Sequence, residues 1–295
     1  MKMEDLIIYE RPYLVQPYLV MGFEGWPDAG RVSSGTVTYL RDKLAAKKLA
    51  MVRPDDFYLF QSPDVEPKRP IINIEDGMVK TLKLTSTTFW FYKSAESTHD
   101  LIISRGREPE LAWNRYVNLV LDFAQELNVE RIYSIGGTYD RVPHTIEPVI
   151  TAVFNYPDLK AEMGKHGIDL INYTGPSSIH SLLIISAKER GLKVTSLWGH
   201  VPHYIQVANT KVCYSILNKL AKILNIAVDL DDMKRASEYL DRQVSEAIKE
   251  KTELEDYVKR LEEEYRQGKR EAGEVLGKNI IKEVEDFLRK KKDEE

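Results

Sequence analysis

All 13 prolines of this 295-residue chain lie at or before Pro202, and all four tryptophans at or before Trp198. Proline inside a helix removes a hydrogen bond and clashes with the preceding turn. Only the last part of the chain is therefore open to long, uninterrupted helix. From Asp231 to Tyr265 neither proline nor glycine occurs, and Glu, Lys, Arg and Leu, all good helix formers, dominate. Leu240, Val244, Ala247, Lys251, Leu254, Val258, Leu261 and Tyr265 recur in alternating steps of four and three, which is a heptad seam. Continuous helix over this stretch would be about 50 Å long. Gly268 and Gly273 interrupt it, and a second amphipathic stretch follows with Leu276, Ile280, Ile281, Val284, Phe287 and Leu288.

Charge marks the same boundary. From Asp229 onward 21 acidic and 16 basic residues fall in 67 positions, so the negative net charge of -4 belongs to the tail and the body is close to neutral. Two modules are expected, 1–228 and 229–295. A charged amphipathic helix can lie as a solvated surface helix on its own body, but the length and regularity of the seam favour a projecting arm for assembly or partner binding. Asp241, Glu250, Glu255, Glu262 and Glu264 flank the seam, so two parallel copies would repel. An antiparallel hairpin, or docking on a different surface, is expected over a parallel zipper.

The body alternates strand and helix signals. Tyr18 to Phe23 reads as an apolar strand entering a glycine-rich loop, followed by a helix through Val37, Leu40 and Leu44. Phe57 to Phe60, Ile71 to Ile74, Met78 to Leu84 and Thr87 to Tyr92 read as a meander of strands. Leu101 to Ser104 is another strand, and Pro109 opens a helix to about Leu127. Arg131 to Gly136, Asp169 to Tyr173 and Val194 to Trp198 complete the strands. Helices follow from the serines at 177 and 178, stopping at Gly191, and from Asn209 to Leu224. This alternation predicts an α/β fold: a central, mostly parallel or mixed sheet flanked by helices, with a C-terminal helical arm.

Function classes narrow by exclusion. With 43% hydrophobic residues the chain can build a core. Its longest apolar run, from Ile179 through Ala187, is too short to cross a bilayer, and no export signal precedes Glu10 and Arg11. The single Cys213 excludes an internal disulfide and a cysteine-built zinc site and suits the cytoplasm. The acidic balance disfavours nucleic acid. Gly30 and Gly35 with Thr36 space like a phosphate loop, but the lysine of such a loop is missing and Val37 follows Thr36, so a tight strand-to-helix turn is expected there. Backbone amides at that helix start could still hold an anion. His200 and His203, with Asp140, His144 and Glu147, carry metal-ligand chemistry, but Pro202 forbids the helical spacing of metalloproteases, and no metal and no cofactor are expected. No G-x-S-x-G turn supports a hydrolase. An enzyme of phosphorylase or hydrolase type, acting on a small molecule such as a nucleoside in a cleft at the strand ends, remains the alternative.

Four motifs stand in order: Gly22, Gly25, Trp26, Asp28 and Gly30; Gly136 and Gly137 with Pro143 and His144; Gly175 and Pro176; and Trp198, Pro202, His203 and Tyr204. Together, over residues 6 to 226, they resemble the proteasome assembly chaperone 2 family, in particular its archaeal homologues. The resemblance implies a phosphorylase-like mixed sheet and a non-enzymatic, self-associating protein that binds proteasome core subunits or a related family member. Members that dock on the proteasome often end in a hydrophobic residue, a tyrosine and one final residue. This chain ends Lys290 to Glu295 without that tyrosine, so docking by that route is not expected, and the tail is expected instead as an assembly or partner-binding arm. The partner-binding residues expected in the tail are Leu240, Val244, Leu254, Val258, Leu261, Tyr265, Leu276, Ile280, Val284 and Phe287.

Overall fold

The computed structural model describes residues 5–54, 56–60, 69–95 and 97–268. Strands β1 (Leu6–Ile8), β2 (Tyr18–Glu24), β3 (Lys47–Val52), β6 (Thr88–Tyr92), β7 (Leu101–Arg107), β8 (Arg131–Asp140), β9 (Ile150–Phe154), β10 (Asp169–Leu170) and β11 (Lys193–Pro202) form one sheet in the order β1-β3-β6-β7-β2-β8-β11-β9-β10. The centre is parallel: β2 pairs with both β7 and β8, and β8 runs in parallel register with β11 from Arg131 and Lys193 to Asp140 and Pro202. The flanks are antiparallel, through β6 on β7 and β9 on β11. The expected α/β class with a mixed sheet is what the chain builds.

Covered on both faces, the central strands are apolar almost throughout. Alternate residues of β2 divide between two cores. Leu19, Met21 and Phe23 pack with Tyr116, Val120, Leu183 and Ala187 of α2 (Trp113–Glu126) and α4 (Ile179–Glu189). Tyr18 and Val20 pack on the other face with Val37 and Leu40 of α1 (Val32–Lys43) and Ile216 and Leu220 of α5 (Thr210–Ile223). A short helix α3 (Leu159–Lys165) buries Met163 against the same layer.

Several expectations are corrected. Phe57 to Phe60 is not a strand; Phe57 and Tyr58 are instead buried core plugs from a loop, and the Phe57 carbonyl accepts the Glu110 N–H. The meander is split. β4 (Ile71–Glu75) and β5 (Met78–Lys83) form a separate two-stranded ribbon, while β6 enters the main sheet beside β3. Strands β1, β3 and β9 are gained, and Asp169 to Tyr173 keeps only its first two residues as strand. Helix α2 starts at Trp113, four residues after Pro109, whose carbonyl takes the Trp113 indole N–H at 2.6 Å. The Asn209 side chain caps α5 by accepting the Val212 N–H at 3.0 Å, as its position before the helix suggests.

The tail differs most. The seam does not run through one helix. It is divided between α6 (Asp231–Lys249) and α7 (Thr252–Arg266), with Lys251 extended at φ -133° and ψ 101° between them. A lysine at a core position cannot be buried cheaply, and the break falls on it. The halves fold back instead of projecting. Val244, Ile248, Leu254, Tyr257, Val258 and Leu261 form a third core with Tyr204 and Ile205 of the body. The 228/229 boundary is therefore one of composition, crossed in space by hydrogen bonds from Thr210 to the Ala236 carbonyl and from Lys211 to Asp241. As an outward binding face the seam is corrected: Val244, Leu254, Val258 and Leu261 are buried in their own chain, and Leu240 and Tyr265 half-buried. Leu276, Ile280, Val284 and Phe287 lie outside the described residues.

Candidate partner-binding surface

Three of the four motifs meet where the parallel strands β2, β8 and β11 end. Loop 24–28 leaves β2 through Gly25, whose φ of 114° suits glycine alone. The loop is tied to β8 because the Gly137 N–H donates to the Pro27 carbonyl at 2.7 Å. A Cβ on Gly137 would stand 2.6 Å from the Ala29 carbonyl oxygen, and one on Gly136 equally close to the Trp198 ring. Gly30, at φ 57°, accepts the Asn209 N–H at 2.8 Å. Gly22 leaves room for the first turn of α1, whose Ser33 hydroxyl accepts the Phe23 N–H at 2.8 Å and donates to the Ile135 carbonyl.

Asp28 explains the glycine-serine spacing before α1. Its carboxylate accepts the Ser34 N–H at 2.9 Å and the Ser34 hydroxyl at 2.6 Å, so the anion at this helix start is the protein's own. Burial raises its pKa, against those hydrogen bonds. Beside it opens a cleft of about 640 Å³ lined by Glu24, Asp28, Arg31, Ser34, Arg105 and Asn209 among others. Arg105 donates to Glu24 at 2.6 Å, and Cys213, which also lines the cleft, is buried with its thiol pushed up by that burial to about 12. No histidine lines it.

The histidines hold the tail. The Tyr204 hydroxyl accepts the His144 backbone N–H at 2.7 Å and faces His144 Nδ1 at 2.9 Å, which leaves Nε2 to donate to Ser245 of α6 at 3.2 Å. Burial first, then the nearby Lys211 charge, holds His144 down at about 4, against the pull of Asp241 and Glu262. His203 Nδ1 faces the Asp140 carbonyl, and its Nε2 meets the Tyr257 hydroxyl of α7 at 3.2 Å. His200 bonds Asp140 Oδ2 at 2.7 Å and Thr151 at 3.0 Å. Arg141 pairs with Glu264 at 2.9 Å, and Thr145 donates to Glu262. Asp140, His144, His200 and His203, weighed as metal ligands, are thus spent on hydrogen bonds while Glu147 is exposed, and among the described residues no three His, Cys, Asp or Glu side chains converge as a metal site.

Gly175 and Pro176 stay apart from this cluster in an exposed turn closed by the Tyr173 hydroxyl on the Pro176 carbonyl. Ser178 occupies the cap position of α4 without capping it. Glu108 takes that role, accepting the Ile179 N–H at 2.8 Å, while its own N–H donates to the Glu24 carbonyl. Nothing local in the sequence signals a cap 71 positions away. Among the side chains the rim leaves to solvent are large apolar and aromatic ones: Trp26 is 60% exposed after β2, and Leu111 after β7 and Tyr139 near the end of β8 are exposed too.

Comparison with known proteins agrees with this geometry. Residues 22–248 match the model of the PAC2 family. The chain belongs to the PAC2 family. The match runs past residue 228 to the end of α6, as the packing of that helix on the body requires. Among solved structures, a PAC2 family protein from Streptomyces avermitilis is 28% identical, with a TM-score of 0.73 over 82% of this chain and 99% of its own. The Mycobacterium tuberculosis proteasome-assembly chaperone homologue is 25% identical, with the same TM-score and coverage. Pyrococcus furiosus PbaB, an archaeal proteasome activator, shares the fold at 23% identity and TM-score 0.63, over 82% of this chain and 97% of its own. No curated protein matches. Proteins that share the fold of this PAC2 chain thus come from bacteria as well as archaea, and among its described residues no helix is long and apolar enough to cross a membrane.

Proposed function

We propose that this PAC2 chain is a non-enzymatic, self-associating assembly chaperone that works in the cytoplasm and binds protein partners, proteasome core subunits or a related family member among them. One observation carries the reading. The motif residues at the strand ends are consumed in holding loops and tail together, while the rim they build offers Trp26 to solvent. An exposed tryptophan on a rigid loop is the kind of anchor that dominates protein interfaces. The engagement of His144 and His203 in holding the tail supports the non-enzymatic part of the reading, and the M. tuberculosis homologue, described as a proteasome-assembly chaperone homologue, supports the partner class. The test is binding of purified full-length chain to proteasome core subunits from its own source, measured by biolayer interferometry. Trp26→Ala should weaken binding by about thirtyfold, the effect of losing roughly 2 kcal/mol at a hot spot. Unchanged affinity in that variant, or no binding to any core subunit or related family member, rejects the proposal.

A further inference from the structure

The ribbon of β4 and β5 stands outside all three cores. Every residue of the two strands is exposed. The register pairs Ile72 with Leu82 and Ile74 with Val79, and directly paired residues share a face. One face therefore carries four aliphatic side chains, each between 50% and 62% exposed. A lone two-stranded ribbon is marginal in water, and three or more strands with an apolar face are needed for independent stability.

Its two edges are not alike. β5 is blunted by Lys80 and Lys83, and a register shift opposite Asn73 and Ile74 makes Lys80 the extra, bulged residue. Lysine and bulges are the usual guards against edge pairing. β4, reading Ile71, Ile72, Asn73, Ile74, Glu75, has neither lysine nor proline within it, and among the described residues no other strand pairs with its outer edge. Charge is distributed along the ribbon as well. The tip carries Glu75 and Asp76, the root Arg69 and Lys83.

From these features we infer that the ribbon is a self-association element. β4 pairs antiparallel with β4 of a second copy about a two-fold axis through Asn73, and the two ribbons become one four-stranded sheet. This register sets Ile72 opposite Ile74 of the second copy and brings each acidic tip to the basic root of the other. Parallel pairing would put tip on tip. The occupant is a second copy because the edge and its charge pattern are complementary to themselves, as a two-fold interface demands. The inference rests on the self-association part of the proposed function and names its surface.

Crosslinking tests it. The native Cys213 is buried, so a single introduced cysteine reports alone. In full-length Asn73→Cys the two Cα atoms would lie about 5 Å apart, within disulfide reach. Mild oxidation should convert most of the protein to a covalent dimer, and Glu75→Cys, four positions off register, should give at least about tenfold less. Ile74→Lys, a substitution at an exposed site, should lower the native mass measured by light scattering. No dimer from Asn73→Cys, equal yields from the two cysteine variants, or an unchanged mass in Ile74→Lys overturns the inference. If wild-type chain remains a multimer in those cases, the assembly reading stands and only the ribbon is rejected. A wild-type monomer at every concentration defeats both self-association and the ribbon, while binding to core subunits is read independently.

Discussion

Replacing Leu254 with alanine tests whether the tail helices are part of the folded body. Leu254 is fully buried at the start of α7, in the cluster that joins Val244 and Ile248 of α6 to Tyr204 and Ile205. Truncating a buried leucine leaves a cavity and costs about 3 kcal/mol, within the usual range of roughly 2 to 5. The leucine side chain packs α7 onto the rim, so the cost should fall on local opening of the tail. At about 1.4 kcal/mol per tenfold, the opening equilibrium rises by roughly a hundredfold. Native-state hydrogen exchange read by mass spectrometry would show amides of 252–266 exchanging about a hundred times faster in the variant. Those of β2, β8 and β11 should keep wild-type rates. Wild-type rates in α7 would mean that Leu254 does not hold it. Equal acceleration throughout the sheet would mean that the tail has no opening of its own.

Gly136→Ala would set a Cβ within 2.6 Å of the Trp198 ring, which is itself packed on His180 at 5.0 Å. Overpacking of this kind costs about 2 kcal/mol and should lower Tm by several degrees, whereas Gly164→Ala, with nothing within 4 Å of its Cβ, should leave Tm unchanged or raise it. His144 supplies a pH test. Its folded pKa of about 4 lies below the ordinary 6.5, so between those values the unfolded chain binds the extra proton. The stability this group contributes is fully present above about pH 6.5 and is lost as pH falls toward 4. Between about pH 7 and pH 4.5 it accounts for roughly 2 kcal/mol of lost stability. In urea titrations His144→Gln should show a pH dependence smaller by that amount, and an identical pH dependence would refute the buried neutral imidazole.

The parallel centre of the sheet was legible because its strands declare themselves. β2, β8 and β11 each carry a largely apolar stretch followed by a glycine within the strand, at Gly22, Gly136 and Gly199, and α5 announces its start with Asn209. The flanking strands were harder to see. β3 begins with the exposed Lys47 and Lys48, and its alternation is too short to read as a strand. Phe57 and Tyr58 look like strand residues and serve as plugs, since aromatic content reports burial as much as extension. Gly22, Gly136 and Gly137 were found as motif residues, but their reason is a Cβ-sized gap against Val37, Trp198 and Ala29 respectively, neighbours 15 or more positions away in sequence.

The amino-acid order alone determined that this chain is α/β and that Asp231 to Tyr265 is helix-forming and carries one apolar stripe. Those properties are local, set by proline placement, helix propensity and the period of the apolar residues. What the stripe lies against was decided only in three dimensions. A periodic pattern says which side must be covered and says nothing of the cover. Here Tyr204 and Ile205 supply it, and the extended Lys251 lets both halves of the stripe reach them. The same holds for Glu108, a glutamate without local distinction until the sheet places it at the start of α4. Contacts across such separations depend on how the layers stack, and no window of sequence contains them.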